Sequence, residues 1–429
     1  MLAFLYGCGL LYSQKRNIER MTEIVPDTQY SQIQHFISES PWSYRSVFDE
    51  VSTQATSIFN EIKKETNEKI GLLIDETGIK KKGEKSVGVA RQYCGNLGKV
   101  ENSQCLVVGA LSAENYYTPV DEELFLPEIW SSNLMRTSKA GVPKKRQELG
   151  HQTKPELALE IIKRQRDLGV PFDYVAGDAL YGNDTEFLKN IDELGIVFMM
   201  DVHKNQTIYL EKPRFEAPEI KENQRGRKPT KNKLIGEGQR VDEFCKQLKD
   251  ADFELLKIRK GSKGWVKSEC FQQKIFTINK KTEEVFERIL LIRRTPKKEG
   301  GYDYKYALSN AKEGQFTLLE LAKMQAQRYF VERTFQEFKQ DIGMHEYQVR
   351  GWLALHHHLS LCVLIQLYIL KEKRLFKDKI PELSAYDLRQ IMIVTHATKH
   401  SENPDIVFDQ MYERHQKRAY DKARYYQNE

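Results

Sequence analysis

The sequence predicts a mixed α/β protein, and three observations predict it. Helical spacing fills both ends of the chain. Short apolar runs that end on acids alternate with helical stretches through the middle. A block of strand-like runs then interrupts the alternation before helical texture returns. With 429 residues, 40% hydrophobic and 30% charged, the chain is longer than one ordinary domain requires. Its apolar fraction suits a packed core, which excludes a disordered protein.

Residues 1–65 read as an N-terminal helical domain, with periodic stretches through Ile18, Met21 and Ile24 and through Val47, Val51, Ala55 and Ile58. Ser-Glu-Ser-Pro before Trp42 is a helix stop and restart. From Gly71 the texture changes, and 66–202 reads as the first part of a catalytic core. Gly71–Asp75 is a short buried strand ending on an acid, followed by a Thr-Gly turn. Val87–Cys94 and Gln104–Ala113 are two further strands. Residues 154–168 form a helix with Pro155 in its first turn. Phe172–Asp178 is a strand that again ends on an acid, followed by helix 184–194 and strand Ile196–Val202.

Residues 203–315 read as a β-rich insertion, with strand-like runs Phe253–Arg259, Trp265–Phe276, Arg288–Arg294 and Tyr302–Leu308. Residues 316–373 return to the core: helical texture runs from Leu318 through Met344, then from His356 to about Lys373. The remainder, 374–429, is a helical C-terminal region containing the amphipathic piece Leu383–Val394.

Lysine and arginine outnumber acids 67 to 61, for a formal net charge of +6, so a polyanionic partner has to be argued from local clusters. The six cysteines form no CxxC pair, which argues against a structural zinc site or a secreted disulfide framework. The apolar N-terminus lacks a basic leader and a small-residue cleavage site, and the run Leu359–Leu370 is too short to span a bilayer. Both read as packing helices, and the expectation is a cytoplasmic protein with no membrane partner.

The chemistry rests on acids. In an open α/β sheet, ligands bind at the carboxyl ends of strands, where Asp75 and Asp178 are expected. Hard divalent cations prefer carboxylate oxygens, and two of them can serve an in-line phosphoryl transfer. A third carboxylate is expected on a helix, and Glu332 supplies it. Arg328 stands one turn before Glu332, and Lys339 seven residues after it, on one helix face. Glu337 is the competing third acid. Taken singly, each acid is ordinarily a turn residue or a surface ion-pair partner.

At these residues the sequence resembles the bacterial DDE-type insertion-sequence transposases, in the cut-and-paste group with a β-strand insertion. Resemblance runs through Gln34–Trp42, Ile74-Asp-Glu-Thr-Gly78, Ser86–Gly95, Leu126–Trp130, Gly141-Val-Pro143, Lys154–Ala158, Gly177-Asp-Ala-Leu-Tyr-Gly182 and Tyr306-Ala-Leu-Ser-Asn310. The family's Y-x2-R-x3-E-x6-K signature maps onto Arg328, Glu332 and Lys339, with Gln325 where the tyrosine is expected. The resemblance implies an RNase H-like core and two Mg²⁺ (or Mn²⁺) ions held by Asp75, Asp178 and Glu332. It also implies cleavage of double-stranded DNA at terminal inverted repeats, joining to target DNA, and a homodimer in the synaptic complex. The different reading is a catalytically decayed DNA-binding regulator of related elements. It stays open because the chain begins close to the first family-like helix. A general nuclease is a lesser alternative.

Further DNA contacts are expected at Arg225, Arg227 and Lys228, within a stretch (Lys221–Lys233) holding six basic residues against one acid. Trp265 reads as a core strand residue before a base-stacking one. His356-His-His358 reads as cap or interface polarity before a metal cluster. Lys80–Lys85 reads as a basic loop, either solvated or touching DNA backbone.

Overall fold

The structure, a computed structural model, describes residues 1–25, 27–95, 98–218, 231–261, 264–380 and 382–398, and also 412, 415, 416, 419, 420 and 422–424. Two compact units are present: Met1–Phe172, Ser262–Gly264 and Gln327–Glu429 form the first, and Asp173–Gly261 with Trp265–Ala326 the second.

The first unit opens with α1 (Leu2–Tyr12), α2 (Ile18–Ile24), α3 (Tyr30–Ser38) and α4 (Tyr44–Thr66). Ser43 caps α4 by accepting the Ser46 amide, and Asn67 ends it in the left-handed conformation that asparagine tolerates. Val51, Ala55, Phe59 and Ile62 are buried along one face of α4. The strands β1 (Gly71–Lys80), β2 (Ala90–Cys94), β3 (Lys99–Ala113) and β4 (Tyr116–Phe125) follow, and β3 pairs antiparallel with the other three.

Two expectations need correction here. Strand β1 does not end at Asp75; it stays paired with β3 as far as Lys80, so Asp75 lies in mid-strand opposite Val108. Thr77 and Ile79 are buried, and Gly78 continues the strand because Cys94 Sγ fills the space its side chain would need. Strand β4 has no counterpart in the sequence reading, because Asp121-Glu-Glu123 looks like a solvated surface. All three acids are buried instead. Asp121 accepts from Arg164 at 2.6 Å and from Gln165 at 3.0 Å, and it pairs with Arg45; Glu122 meets His356. Buried charge is tolerated when it is paired and hydrogen-bonded.

Short helices α5 (Glu128–Ser131), α6 (Leu134–Lys139) and α7 (Lys144–Glu148) lead to α8 (Lys154–Asp167). Helix α8 starts on a Thr153–Glu156 capping box with proline in its first turn. Ile161 of α8 approaches β3 so closely that only glycine fits at Gly109.

The second unit begins with β5 (Tyr174–Gly177), α9 (Ala179–Gly182), α10 (Thr185–Glu193) and β6 (Phe198–Asp201). Strands β5 and β6 are parallel, with Gly177 opposite Met200. The short strands β7 (Thr207–Tyr209), β8 (Arg214–Glu216), β9 (Lys233–Ile235) and β10 (Gly238–Arg240) precede α11 (Val241–Gln247). Four longer strands follow, β11 (Glu254–Gly261), β12 (Gly264–Asn279), β13 (Glu284–Pro296) and β14 (Tyr302–Ser309), and then α12 (Leu318–Gln327). Strand β6 continues antiparallel into β14, β13 and β12, so the sheet of this unit is mixed. Asn310 ties the β6 end of that run: it accepts the Phe198 amide and donates to Asp192 and to the Ile196 carbonyl. Helix α12 covers β11 and β12 through Ala322 and Ala326 on Leu256, Ile258 and Cys270.

The chain returns to the first unit with α13 (Tyr329–Gln340), α14 (Trp352–Leu375) and α15 (Ala385–Thr398). Helical texture was expected unbroken from Leu318 through Met344, but the structure divides it at Arg328 and ends it at Gln340. Beyond Gln340, Gly343 takes φ +79°, and the buried Arg16 side chain occupies the place a Cβ would need. Helix α14 has 24 residues, and it is longer than the apolar run within it suggests. By length and composition it suffices to cross a membrane, yet most of its apolar stretch is buried within the protein.

The three histidines of α14 are all buried and fasten it to its surroundings. His357 meets the carbonyls of Ile37 and Trp42 at 2.8 and 2.9 Å, and His358 meets the Tyr6 hydroxyl at 2.8 Å and the Met344 carbonyl at 3.1 Å. Burial pushes His358 down to about 3, so it is neutral. These contacts fit the interface polarity expected of the run.

Candidate active site

In the first unit, Asp75, Arg328 and Glu332 come together. Arg328 is the residue before α13, and its guanidinium spans both acids: Nη1 lies 3.4 Å from Asp75 Oδ2 and Nη2 lies 3.3 Å from Glu332 Oε1. A single planar cation thus reaches two carboxylates that are remote along the chain, one on β1 and one in the first turn of α13. The Asp75 side chain is 15% exposed and that of Glu332 is 59% exposed, so the pair opens from a half-buried floor to solvent.

Glu337, the competing acid, is placed differently. Its side chain is 4% exposed, and it accepts from Tyr117 Oη at 2.5 Å and Gln366 Nε2 at 2.9 Å. Lys373 Nζ stands 3.2 Å away and Arg333 3.8 Å away. Four interior partners hold this carboxylate as a packing element.

Lys339 does not share the exposure of Glu332. It is half-buried, and burial holds it down to about 8, with the Cys94 and Cys105 thiols as its charge neighbours. The expected common face of α13 is therefore uneven, exposed at Glu332 and half-buried at Lys339. Beside Asp75 in β1, Glu76 pairs with Lys154 at 2.8 Å. Lys81 lies in the expected loop after β1, yet it is packed 3.8 Å over the Tyr347 ring, and burial lowers it to about 8.

Asp178 belongs to the second unit. It follows β5 directly and caps α9, with Oδ1 accepting the Leu180 amide at 2.9 Å. Gly182, at the end of α9, is required there: a Cβ would lie 1.9 Å from the Asp201 carbonyl oxygen at the end of β6. Gln325, which stands in place of the expected tyrosine, is 3% exposed and donates to Asp201 Oδ1 at 2.9 Å. Its Oε1 is buried and has no hydrogen-bond partner among the described residues. The sequence reading missed Asp201, although an acid ending an apolar strand was the signal used for Asp178.

Arg225, Arg227 and Lys228 lie outside the described residues. Trp265 is half-buried on β12, with Lys257 and Lys260 at 5.6 and 5.8 Å from its ring, so it is no closed core residue.

The donor chemistry suits a hard cation: carboxylate oxygens and an orphaned amide oxygen, with all six cysteine thiols buried. Among the described residues no three His, Cys, Asp or Glu side chains gather as one metal-binding group. Between Asp75 and Glu332 the positive charge is that of Arg328.

Fold and acids together describe a mixed α/β protein that presents carboxylates from within a strand (Asp75), just past a strand end (Asp178) and in the first turn of a helix (Glu332). Residues 1–264 match the family described as DDE superfamily endonuclease, and the chain belongs to that family. The matched residues include Asp75 and Asp178 and stop before Glu332. Divalent metal ions are the cofactors generally used in that superfamily. A probable transposase for insertion sequence element IS701 from Microchaete diplosiphon is 28% identical over 198 residues. That alignment covers 46% of this chain and 46% of the relative, so the chain spans about half the length of the curated protein it matches. A solved structure, the cryo-EM piggyBac transposase synaptic complex with hairpin DNA, aligns with 77% of this chain and 52% of its own at 10% identity, with a TM-score of 0.33.

Proposed function

We propose that this chain is a DNA transposase that cleaves transposon ends and joins them to target DNA by phosphoryl transfer, with Asp75, Asp178 and Glu332 as its catalytic acids. The observation that carries the proposal is Arg328 reaching Asp75 and Glu332 at once. It supports Glu332 over Glu337 as the third acid. The proposed partners are double-stranded DNA with terminal inverted repeats, target DNA and a second copy of this chain, in the cytoplasm at the nucleoid. The core is proposed to be RNase H-like.

In each step an oxygen nucleophile, water or a freed 3′-hydroxyl, forms a bond to phosphorus as the P–O3′ bond breaks. The nucleophile loses its proton, and the leaving 3′-oxygen ends protonated. Asp75, Asp178 and Glu332 would hold two Mg²⁺ or Mn²⁺ ions, which supply activation of the nucleophile and stabilisation of the leaving oxygen. Arg328 balances the charge of Asp75 and Glu332 and donates to phosphate oxygens when DNA is bound. Arg225, Arg227, Lys228 and Lys339 add cationic contacts, which makes binding salt-sensitive.

The test is cleavage of duplex DNA carrying the element's ends, with Mg²⁺, by the full chain and by Asp75→Ala, Asp178→Ala and Glu332→Ala. Each variant should bind the DNA and leave it uncut. Cutting at the normal rate by any one of them refutes the assignment, and binding without cutting by the unaltered chain favours the decayed regulator.

A further inference from the structure

We propose that the first unit carries a face that binds the phosphate backbone of duplex DNA. Its cations are Lys82 and Lys85 after β1, Lys139, Lys144 and Lys145 of α6 and α7, and Arg350 before α14. The inference rests on the DNA partner proposed above and adds a surface to it.

Three observations carry it. First, hydrogen bonds draw the three segments that bear these side chains together. Arg136 of α6 lies 3.8 Å over the Trp130 ring and donates from Nη2 to the Glu84 carbonyl at 3.0 Å, which ties α6 to the loop after β1. From that loop the Val87 amide donates to the Arg350 carbonyl at 3.0 Å, and the Trp352 amide donates to the Ala140 carbonyl at 2.8 Å. Each segment thus bonds to the other two. Asn102 of β3 also donates to the Lys81 and Gly83 carbonyls, at 2.8 and 3.0 Å, and Ser138 of α6 donates to Gln147 Oε1 of α7 at 3.1 Å. A frame held in this way presents its charges without the cost of ordering loose loops on binding.

Second, all six cations are exposed, and none has an ion pair, a side-chain hydrogen bond or a ring contact among the described residues. Other exposed cations of this unit do find acids: Lys80 and Lys99 share Glu101, and Lys377 pairs with Glu65. Residues 81–87, 134–148 and 350–352 contain only two acids, Glu84 and Glu148. The whole chain has an excess of just +6, so its positive charge is concentrated here. Like charges crowded on one surface repel each other, and a polyanion laid across them relieves that repulsion.

Third, the cations suit an extended chain of phosphates. Five of the six are lysines, whose compact, hydrated ammonium groups meet phosphates as point charges, and they end in solvent on turns and short helices. Duplex DNA offers one negative charge per about 1.7 Å of its axis, and such contacts position a protein without reading sequence. From Asp75 to the end of β1 at Lys80, the strand rises about 17 Å, the length of about five base pairs. The face therefore grips duplex that flanks the reacting phosphate.

The test is fluorescence anisotropy of the full chain on a labelled duplex of arbitrary sequence, without divalent metal, as KCl rises from about 50 mM. The triple variant Lys139→Gln, Lys144→Gln, Lys145→Gln should make the slope of log K against log salt shallower by about 2–3. It should also weaken binding at least about tenfold at the lowest salt. The double variant Lys82→Gln, Lys85→Gln should make the slope shallower by about 1–2. Lys280→Gln, Lys297→Gln, Lys298→Gln removes the same charge from exposed positions of the second unit and should leave the slope as it was. Thermal unfolding is followed in parallel; should one cationic variant fail to fold, the other decides. An unchanged slope in either folded variant overturns the inference, and so does an equal loss in the second-unit triple, which would make the effect one of net charge. Absence of duplex binding by the unaltered chain removes the DNA partner itself, and with it the reading beneath.

Discussion

Two glutamates five residues apart on α13 should behave in opposite ways when each is cut back to alanine. Glu337→Ala removes a carboxylate that is 4% exposed and leaves Tyr117, Gln366, Lys373 and Arg333 facing an empty place. Breaking a buried charged pair by deleting one partner costs about 3–5 kcal/mol. At about 2.1 cal/mol/K of unfolding entropy per residue, each kcal/mol shifts the Tm of a 429-residue chain by about 1 °C, so a fall of roughly 3–6 °C is expected. Glu332→Ala removes a side chain that is 59% exposed and whose ion pair is a 3.3 Å contact with Arg328. Exposed pairs at this helical spacing are worth about 0.3–0.5 kcal/mol, so Tm should move by no more than about 1 °C. Cleavage of end-containing DNA should vanish in Glu332→Ala. It should persist in Glu337→Ala at temperatures well below its lowered Tm. The assay is differential scanning calorimetry beside gel-resolved cleavage. An unchanged Tm for Glu337→Ala, or a stable Glu337→Ala protein that binds DNA and cannot cut while Glu332→Ala cuts, refutes the assignment of the two acids.

Two other predictions follow from the packing. Burial lowers Lys339 to about 8 in the folded protein against 10.5 in the unfolded chain, so the fold carries a penalty below pH 8 that is relieved as pH rises towards 10.5. Lys339→Met should therefore raise stability in denaturant by about 1–2 kcal/mol at pH 7, after discounting for its partial exposure, and by much less at pH 10. An equal gain at both pH values would mean that packing, not charge, was responsible. Gly182→Ala sets a methyl group 1.9 Å from the Asp201 carbonyl, and should destabilise by about 1–3 kcal/mol in urea titration. A variant as stable as the original chain would show that the turn has slack there.

The sequence by itself determined the alternation of helices and strands, the strand-rich block, and the acids worth testing, because each is written in local spacing. Apolar periodicity placed Val51 and Ala55 on the buried face of α4, where Phe48 and Phe59 are buried in place of the expected Val47 and Ile58, and a short apolar run ending on an acid placed β5 and Asp178. Only the tertiary structure decided matters that depend on residues remote along the chain. Strand β4 was illegible because its three acids become buried only through Arg45, Arg164 and His356. Asp75 lies within a strand because β3 continues to pair past it. Gln325 looked like a departure from a pattern until its amide met Asp201. Whether a charge ends in solvent or in the interior is set by the partners that the fold delivers, and local spacing carries no record of them.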